Sequence, residues 1–328
     1  MLAVGPNGAG KTNLLEALHV GTQGFSPRTR RESRLVRFEQ ETAAVRVTGK
    51  QAESTIETEV ELRRNGGKRM ALNGAPVRTM DELRGRISTL VFTPERLAVV
   101  KGSPAIRRAY FDRVLTRLLP ARASLPLDYS AALGQRNVAL RRTSAGLSGR
   151  DAIEPWTARL AESGRALSQA RTEVVSLLAQ AFADRAAELE LPDARLRHES
   201  APVSAEDLNA RLERDLERGW TGAGPHLEDV TVLSGDRDLR AFGSQGEQRI
   251  AVLALLLAEA AVLAERGPPP LLLLDDVLSE LDPDRRIALA SRIGSPGQAL
   301  VTTTAAWALP VEPAQLVEIS PGCARTAA

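Results

Sequence analysis

The chain has 328 residues, with 43 Lys and Arg against 41 Asp and Glu and a net charge of +2. That length suits one large or two medium domains, and the balanced charge excludes a global basic field, so any nucleic-acid contact must use local arginine patches. Aromatics are only 3% of the residues, which argues against a base-stacking platform for single strands.

In chain order, Met1 to Val4 read as a short strand. Gly5-Pro6-Asn7-Gly8-Ala9-Gly10-Lys11-Thr12 then fits the phosphate-binding pattern G-x-x-x-x-G-K-[ST]. Its glycines let backbone N–H groups turn inward around phosphate oxygens. Lys11 is placed to reach the outer phosphates, and Thr12 to offer its hydroxyl to Mg²⁺. Asn13 to Val20 continue as helix, which puts the phosphates at a helix N-terminus, where the dipole favours anions. Lysine occurs only at 11, 50, 68 and 101, so a chain that otherwise uses arginine keeps a lysine at this position. Arg28, Arg30, Arg31, Arg34 and Arg37 follow as a cluster that fits DNA or nucleotide contact, or simply a solvated face.

Residues 41–64 alternate and are partly β-branched, as strands are. Asn65-Gly66 and Asn73-Gly74 read as hairpin turns around Arg69 to Leu72, giving a small antiparallel sheet beside the phosphate loop. Ile87 to Phe92 is a further strand, stopped by Pro94. From Arg107 the period turns helical, with Phe111, Val114, Leu115 and Leu118 on one face and Pro120 at the end. Tyr129 to Leu140 and Trp156 to Leu189 are also helical, joined by a turn rich in small residues over 143–149. Leu160, Leu167, Val174, Leu178 and Phe182 make one stripe, suited to antiparallel packing rather than a sustained coiled coil. A helix of about 34 residues spans roughly 50 Å. Val230 to Leu233 reads as a strand leading back into the first half.

Ser244 is placed to cap a helix, with Glu247 three residues on as in a capping box. Read functionally, Ser244 and Gly246 form a second anion site at the start of the apolar helix Ile250 to Ala264. That helix is short, holds Glu259 and precedes Gly267-Pro268, so it fits a buried core and not a membrane span. Leu271 to Leu274 is a buried strand delivering Asp275 and Asp276 to its C-terminal edge, where open α/β sheets bind ligands. Asp275 suits Mg²⁺, and Asp276 suits the activation of water. His19, His198 and His226 lack metal-ligand spacing, and His226, in a Gly-Pro turn, reads as structural. The lone Cys323 excludes an internal disulfide and fits a reducing, cytoplasmic setting, and the start lacks a signal pattern.

These motifs resemble the RecF family of bacterial recombination-repair ATPases, in the SMC-like branch of ABC-type ATPases. The similarity runs through Gly10 to Ala17, Ser26-Pro27-Arg28-Thr29, Leu35 to Phe38, Phe92 to Glu95, Lys101 to Pro104, Arg107-Arg108, Phe111-Asp112, Gln135-Arg136-Asn137 and Gly224-Pro225-His226. It closes with Gly243 to Gly246 and Leu273 to Asp282, the most specific run, whose Ser279-Glu280-Leu281-Asp282 matches a dimer-facing loop. The chain departs from the family in places. Two further strands usually precede the phosphate loop, so the expectation is a misassigned start or a sheet lacking an edge. Leu227 stands where arginine is common. Asp276 replaces the glutamate of ABC transporters, and Thr302-Thr303-Thr304 stands where they carry a switch histidine, which argues against fast hydrolysis.

The resemblance implies an α/β fold: a P-loop ABC-type ATPase head over 1–105 and 224–328, with a flanking antiparallel sheet and an inserted α-helical lobe over 106–223. It implies ATP and Mg²⁺, with each nucleotide contacting Lys11 and Thr12 of one copy and Ser244 and Gly246 of another in an ATP-dependent homodimer. It implies a weak, DNA-stimulated ATPase that clamps duplex DNA near gaps, with RecR, RecO and the RecA-loading pathway as partners and no membrane. A transporter nucleotide-binding subunit is the alternative from another class, but the switch histidine and the Leu-Ser-Gly-Gly-Gln signature are missing. A nucleotide-gated DNA-structural protein with negligible hydrolysis is a third reading.

Overall fold

The computed structural model describes residues 1–51, 54–279, 281–293 and 297–327. Its contacts define two compact units, Met1–Arg96 with Leu263–Ala328, and Leu97–Val262. The first unit holds a six-stranded sheet built on β1 (Leu2–Val4), β6 (Thr89–Phe92), β10 (Leu271–Leu274), β11 (Ala299–Thr303), β12 (Leu316–Ser320) and β13 (Cys323–Thr326). The order is β13-β12-β1-β11-β10-β6, parallel except for β13. Parallel strands covered on both faces are near-continuously apolar, and Ala3, Val91, Leu273, Leu300 and Val317 form that core. β1 is central, paired on one side with β11 and on the other with β12.

A second sheet, antiparallel, orders β2 (Thr42–Gln51), β3 (Ser54–Arg63), β4 (Lys68–Leu72) and β5 (Ala75–Pro76) in sequence. Asn73 and Gly74 both have positive φ, the signature of a two-residue hairpin turn. At the other hairpin the left-handed residues are Gly66 and Gly67, one position later than Asn65-Gly66.

The helix Lys11–Gln23 serves both sheets of this unit. Leu14, Leu15 and Leu18 pack on the parallel core, while Val20 joins Val60, Leu62 and Val45 of the antiparallel one. Gly21 permits the close approach: a Cβ there would lie 2.4 Å from Val47 Cγ2. The Thr58 hydroxyl donates to the Gly21 carbonyl at 2.7 Å. The helix is therefore clamped between the sheets of its own unit, with its first residues at the phosphate loop.

The second unit carries the helices Pro104–Leu118, Leu125–Ser144 and Glu154–Glu188, the last of 35 residues. Beside them lies a three-stranded antiparallel sheet, β7 (Ala194–Glu199), β8 (Asp229–Ser234) and β9 (Arg237–Asp238), with β8 in the middle. Buried arginines knit this unit together. Arg136, 0% exposed, donates to Asp215 at 2.8 Å, Thr221 at 2.7 Å and Thr157 at 3.1 Å. Arg171 grips Asp112 at 2.8 and 3.0 Å and Glu228 at 3.1 Å, and Arg107 grips Asp229 at 2.7 and 2.6 Å. Buried charges are tolerable only when paired like this. His226 is structural: Nε2 donates to the Thr221 carbonyl at 3.0 Å, so Nδ1 accepts from the Tyr129 hydroxyl at 2.7 Å, and burial lowers its pKa. The apolar helix Gln245–Ala264 is internal, its Glu259 bonded to Arg117 at 2.5 Å, and no helix among the described residues is long and apolar enough to cross a membrane.

Glu228 gives this unit a pH signature. Burial raises its pKa, but hydrogen bonds from His198, Ser168 and the Ala201 N–H outweigh that and hold it at about 2, against an ordinary 4.5. The folded carboxyl titrates below the unfolded one, so its contribution is complete above about pH 4.5 and is lost as pH falls from there toward 2. Urea unfolding at pH 6 and pH 3 should show wild type losing on the order of 2 kcal/mol more than Glu228→Gln. Equal losses would contradict the assignment.

Candidate nucleotide and magnesium site

The phosphate loop, Gly5 to Thr12, leaves the C-terminal end of β1. Gly5 passes so close to β12 that a Cβ would meet the Ile319 carbonyl oxygen at 2.3 Å. Its N–H donates to the Thr303 carbonyl at 3.3 Å. Gly8 and Gly10 have φ of 80° and 107°, in the left-handed region that favours glycine. Pro6, Asn7, Gly8 and Asn13 are exposed, and Ala9 is buried beneath the loop. Lys11 is only 8% exposed and donates through Nζ to the Gly5 carbonyl at 2.7 Å and the Pro6 carbonyl at 3.0 Å. The ammonium is thus held over the loop by the loop's own carbonyls.

The acidic run arrives at the same edge. Asp275, 6% exposed, accepts from the Thr12 hydroxyl, with Oγ1 2.9 Å from Oδ2 and 3.2 Å from Oδ1. Sequence reasoning paired these two residues by motif alone; the structure brings them into contact. A third residue joins them. The Thr302 hydroxyl, at the end of β11, donates to Asp275 Oδ1 at 2.7 Å and accepts the Asp276 N–H at 3.0 Å. In the sequence Thr302 is one of three consecutive threonines that stand in place of a histidine. Thr302 and Thr303 in fact face the interior, and Thr304 is exposed. Asp276 has φ of 48°, uncommon for a non-glycine residue and often found at functional sites.

Ser244 and Gly246 belong to the second unit, and both are exposed. The expected capping box is present: the Ser244 N–H donates to Glu247 Oε2 at 2.7 Å, and the Glu247 N–H donates to Ser244 Oγ at 3.2 Å. The Ser244 N–H also holds the Glu247 carboxyl below its ordinary pKa. Glu280 lies outside the described residues; beside it, Ser279 Oγ donates to the Asp276 carbonyl at 3.1 Å.

The arginine cluster divides. Arg28 Nη1 lies 3.4 Å from Glu16 Oε2, and the Ser26 hydroxyl donates to Glu16 Oε1. This segment is therefore anchored to the loop helix one turn beyond Thr12. Arg28 is nonetheless exposed, as are Arg30, Arg31, Arg34 and Arg37.

The donor set fits magnesium. A threonine hydroxyl and a carboxylate in contact are hard oxygen ligands, and Mg²⁺ keeps waters and phosphates as its remaining ligands rather than using an all-protein cage. No cluster of three or more His, Cys, Asp or Glu suited to a metal occurs among the described residues. The glycine-lined turn, the lysine and the helix N-terminus fit a nucleotide's phosphates.

The profile of the RecF/RecN/SMC N terminal domain family matches residues 1–320. The chain is similar to the DNA replication and repair protein RecF of Myxococcus xanthus, 38% identical over 92% of this chain and 84% of that protein. It is 35% identical to RecF of Heliobacterium modesticaldum over 92% of this chain and 85% of that protein. A solved structure of the recombination mediator protein RecF with ATP superposes with a TM-score of 0.85 at 31% identity, covering 100% of this chain and 91% of that one. An SMC head bound to a winged-helix domain of ScpA matches with a TM-score of 0.58 at 17% identity, which speaks to the fold alone. The chain belongs to the RecF family.

Proposed function

We propose that this chain is a cytoplasmic, ATP-dependent DNA-binding protein of replication and recombinational repair. The observation that carries the reading is the contact of Thr12 with Asp275 at the mouth of the phosphate loop. Family membership supplies the biological setting. We assign 1–105 and 224–328 to the nucleotide head and 106–223 to the inserted helical lobe.

In this reading the loop amides and Lys11 bind the phosphates, with Lys11 exchanging loop carbonyls for phosphate oxygens. Thr12 and Asp275 would hold Mg²⁺, which when bound would supply positive charge against the phosphates. Asp276 orients the attacking water and accepts its proton. Hydrolysis is slow, and DNA stimulates it. Ser244 and Gly246 meet the γ-phosphate bound by a second copy, so ATP joins two heads into a dimer. The dimer closes on duplex DNA near a gap, and hydrolysis releases it. RecR, with RecO and RecA loading downstream, follows from kinship with the RecFOR pathway proteins.

Sedimentation with and without ATP and gapped DNA tests the switch. ATP should convert monomer to dimer, and Ser244→Arg should abolish the dimer while leaving ATP binding intact, because Ser244 lies on an exposed surface. An ATP-induced dimer of Ser244→Arg would rule out the contact across copies.

Single-turnover hydrolysis separates the chemical roles. Asp276→Asn should bind ATP and dimerise but hydrolyse about 100-fold more slowly. Lys11→Ala should fail earlier, at nucleotide binding. Wild-type affinity and turnover in both variants would remove the site assignment.

DNA binding should follow the dimer, since a net charge of +2 gives the monomer no strong field. Two copies of the exposed arginines, including Arg28, Arg31 and Arg34, would add local positive charge. Phosphate contacts release counterions, so binding to duplex-containing DNA should require ATP and weaken steeply with salt, with little sequence preference. Titrations on duplex, gapped and single-stranded DNA at two salt concentrations measure this. Tight, ATP-independent binding to single strands alone would contradict the clamp.

A further inference from the structure

We propose that Thr302 is a positioning residue that couples metal binding at Asp275 to the setting of Asp276. The proposal rests on the reading of Thr12 and Asp275 as the magnesium pair. Thr302 is 0% exposed and its hydroxyl makes two contacts, to Asp275 Oδ1 at 2.7 Å and to the Asp276 N–H at 3.0 Å. A hydroxyl has one proton and two lone pairs. A backbone N–H can only donate, so the Thr302 oxygen accepts from Asp276 and its proton goes to Asp275. The direction of both bonds is therefore fixed by chemistry.

Thr12 approaches the same carboxylate from the loop helix, 2.9 Å from Oδ2. Two hydroxyls, from β11 and from the helix Lys11–Gln23, thus set the rotation of the Asp275 carboxylate. The same strand end also secures the loop, because the Thr303 carbonyl accepts the Gly5 N–H at 3.3 Å. Asp276, next in the chain, takes a left-handed backbone at φ of 48°, and its N–H is satisfied by Thr302. One side chain between β1 and β10 thereby orients the metal carboxylate and anchors the residue assigned to water. Partners that orient a metal ligand typically change metal affinity 10- to 100-fold when removed, on the order of the effect expected here. Thr302 touches neither nucleotide nor water in this account, so its effect passes through Asp275 and Asp276.

The test is Mg²⁺ titration of a fluorescent ATP analogue bound to the full chain, with affinity in EDTA as the control. Thr302→Val keeps the shape and removes the hydroxyl. It should leave the Mg²⁺-free affinity within about threefold of wild type and raise the Mg²⁺ midpoint about tenfold or more. Thr302→Ser restores the hydroxyl and should return the midpoint to within about threefold of wild type. A merely structural threonine would instead change both affinities together or neither. Melting curves check that Thr302→Val is folded, and Thr302→Ser decides independently of it. A wild-type midpoint in folded Thr302→Val, or a raised midpoint in Thr302→Ser, overturns the proposal. If wild type itself shows no Mg²⁺ dependence, the underlying magnesium assignment fails, and the proposal with it.

Discussion

The hydrogen bond between Thr12 and Asp275 spans 263 positions of sequence, and the architecture of the first unit follows from the need to make it. Thr12 opens the helix after β1, and Asp275 ends β10. With β11 between these strands, the registers place Val4 beside Thr303 and Leu274 beside Val301. All three strands are parallel, so their C-terminal ends emerge at one edge. The phosphate loop, the acidic pair and Thr302 therefore share that edge without any long-range search by flexible side chains. The apolar centres of the strands make this placement stable. Leu273 and Leu300 are fully or almost fully buried, and truncating such a residue to alanine typically costs about 2–5 kcal/mol.

The second unit solves a different problem with different means. Its interior holds Arg107, Arg136 and Arg171, each matched to a carboxylate. Such pairs contribute little net stability against an apolar alternative, yet breaking one leaves an expensive buried charge. Their directional bonds tie segments distant in sequence: Arg136 from one helix reaches Asp215 and Thr221, and Arg171 from another reaches Asp112 and Glu228. The same unit carries the capped start of the helix Gln245–Ala264, where Ser244 and Glu247 satisfy each other's backbone groups.

Legibility from sequence tracked the range of the interaction. The phosphate loop, the capping box and the Asn73-Gly74 turn are local patterns, and each has its expected geometry. The strand Leu271–Leu274 was readable because an apolar run stops at two acids. β7 escapes a sequence reading because Ala194 to Glu199 is mostly polar, with only Ala194 buried. β11 and β12 are short and carry no turn signal that names their neighbours. Val230 to Leu233 was recognised as a strand, but its antiparallel pairing with β7 depends on contacts more than 30 residues apart. Thr302 could not be singled out from its neighbours in a threonine run, since only the folded sheet points one hydroxyl at Asp275. Arg28 illustrates the converse: exposed like the arginines it is grouped with by sequence, it also pairs with Glu16.

The central claim is that nucleotide binds where these parts converge. Hydrogen exchange with and without Mg²⁺-ATP tests it most directly, because loop amides engaged by phosphate oxygens would exchange slowly. The account predicts strong slowing in peptides covering Gly8 to Asn13, with smaller slowing across Leu271 to Asp276, both absent in Lys11→Ala. Unchanged exchange over Gly8 to Asn13 at saturating Mg²⁺-ATP, with slowing confined to other segments, would contradict it.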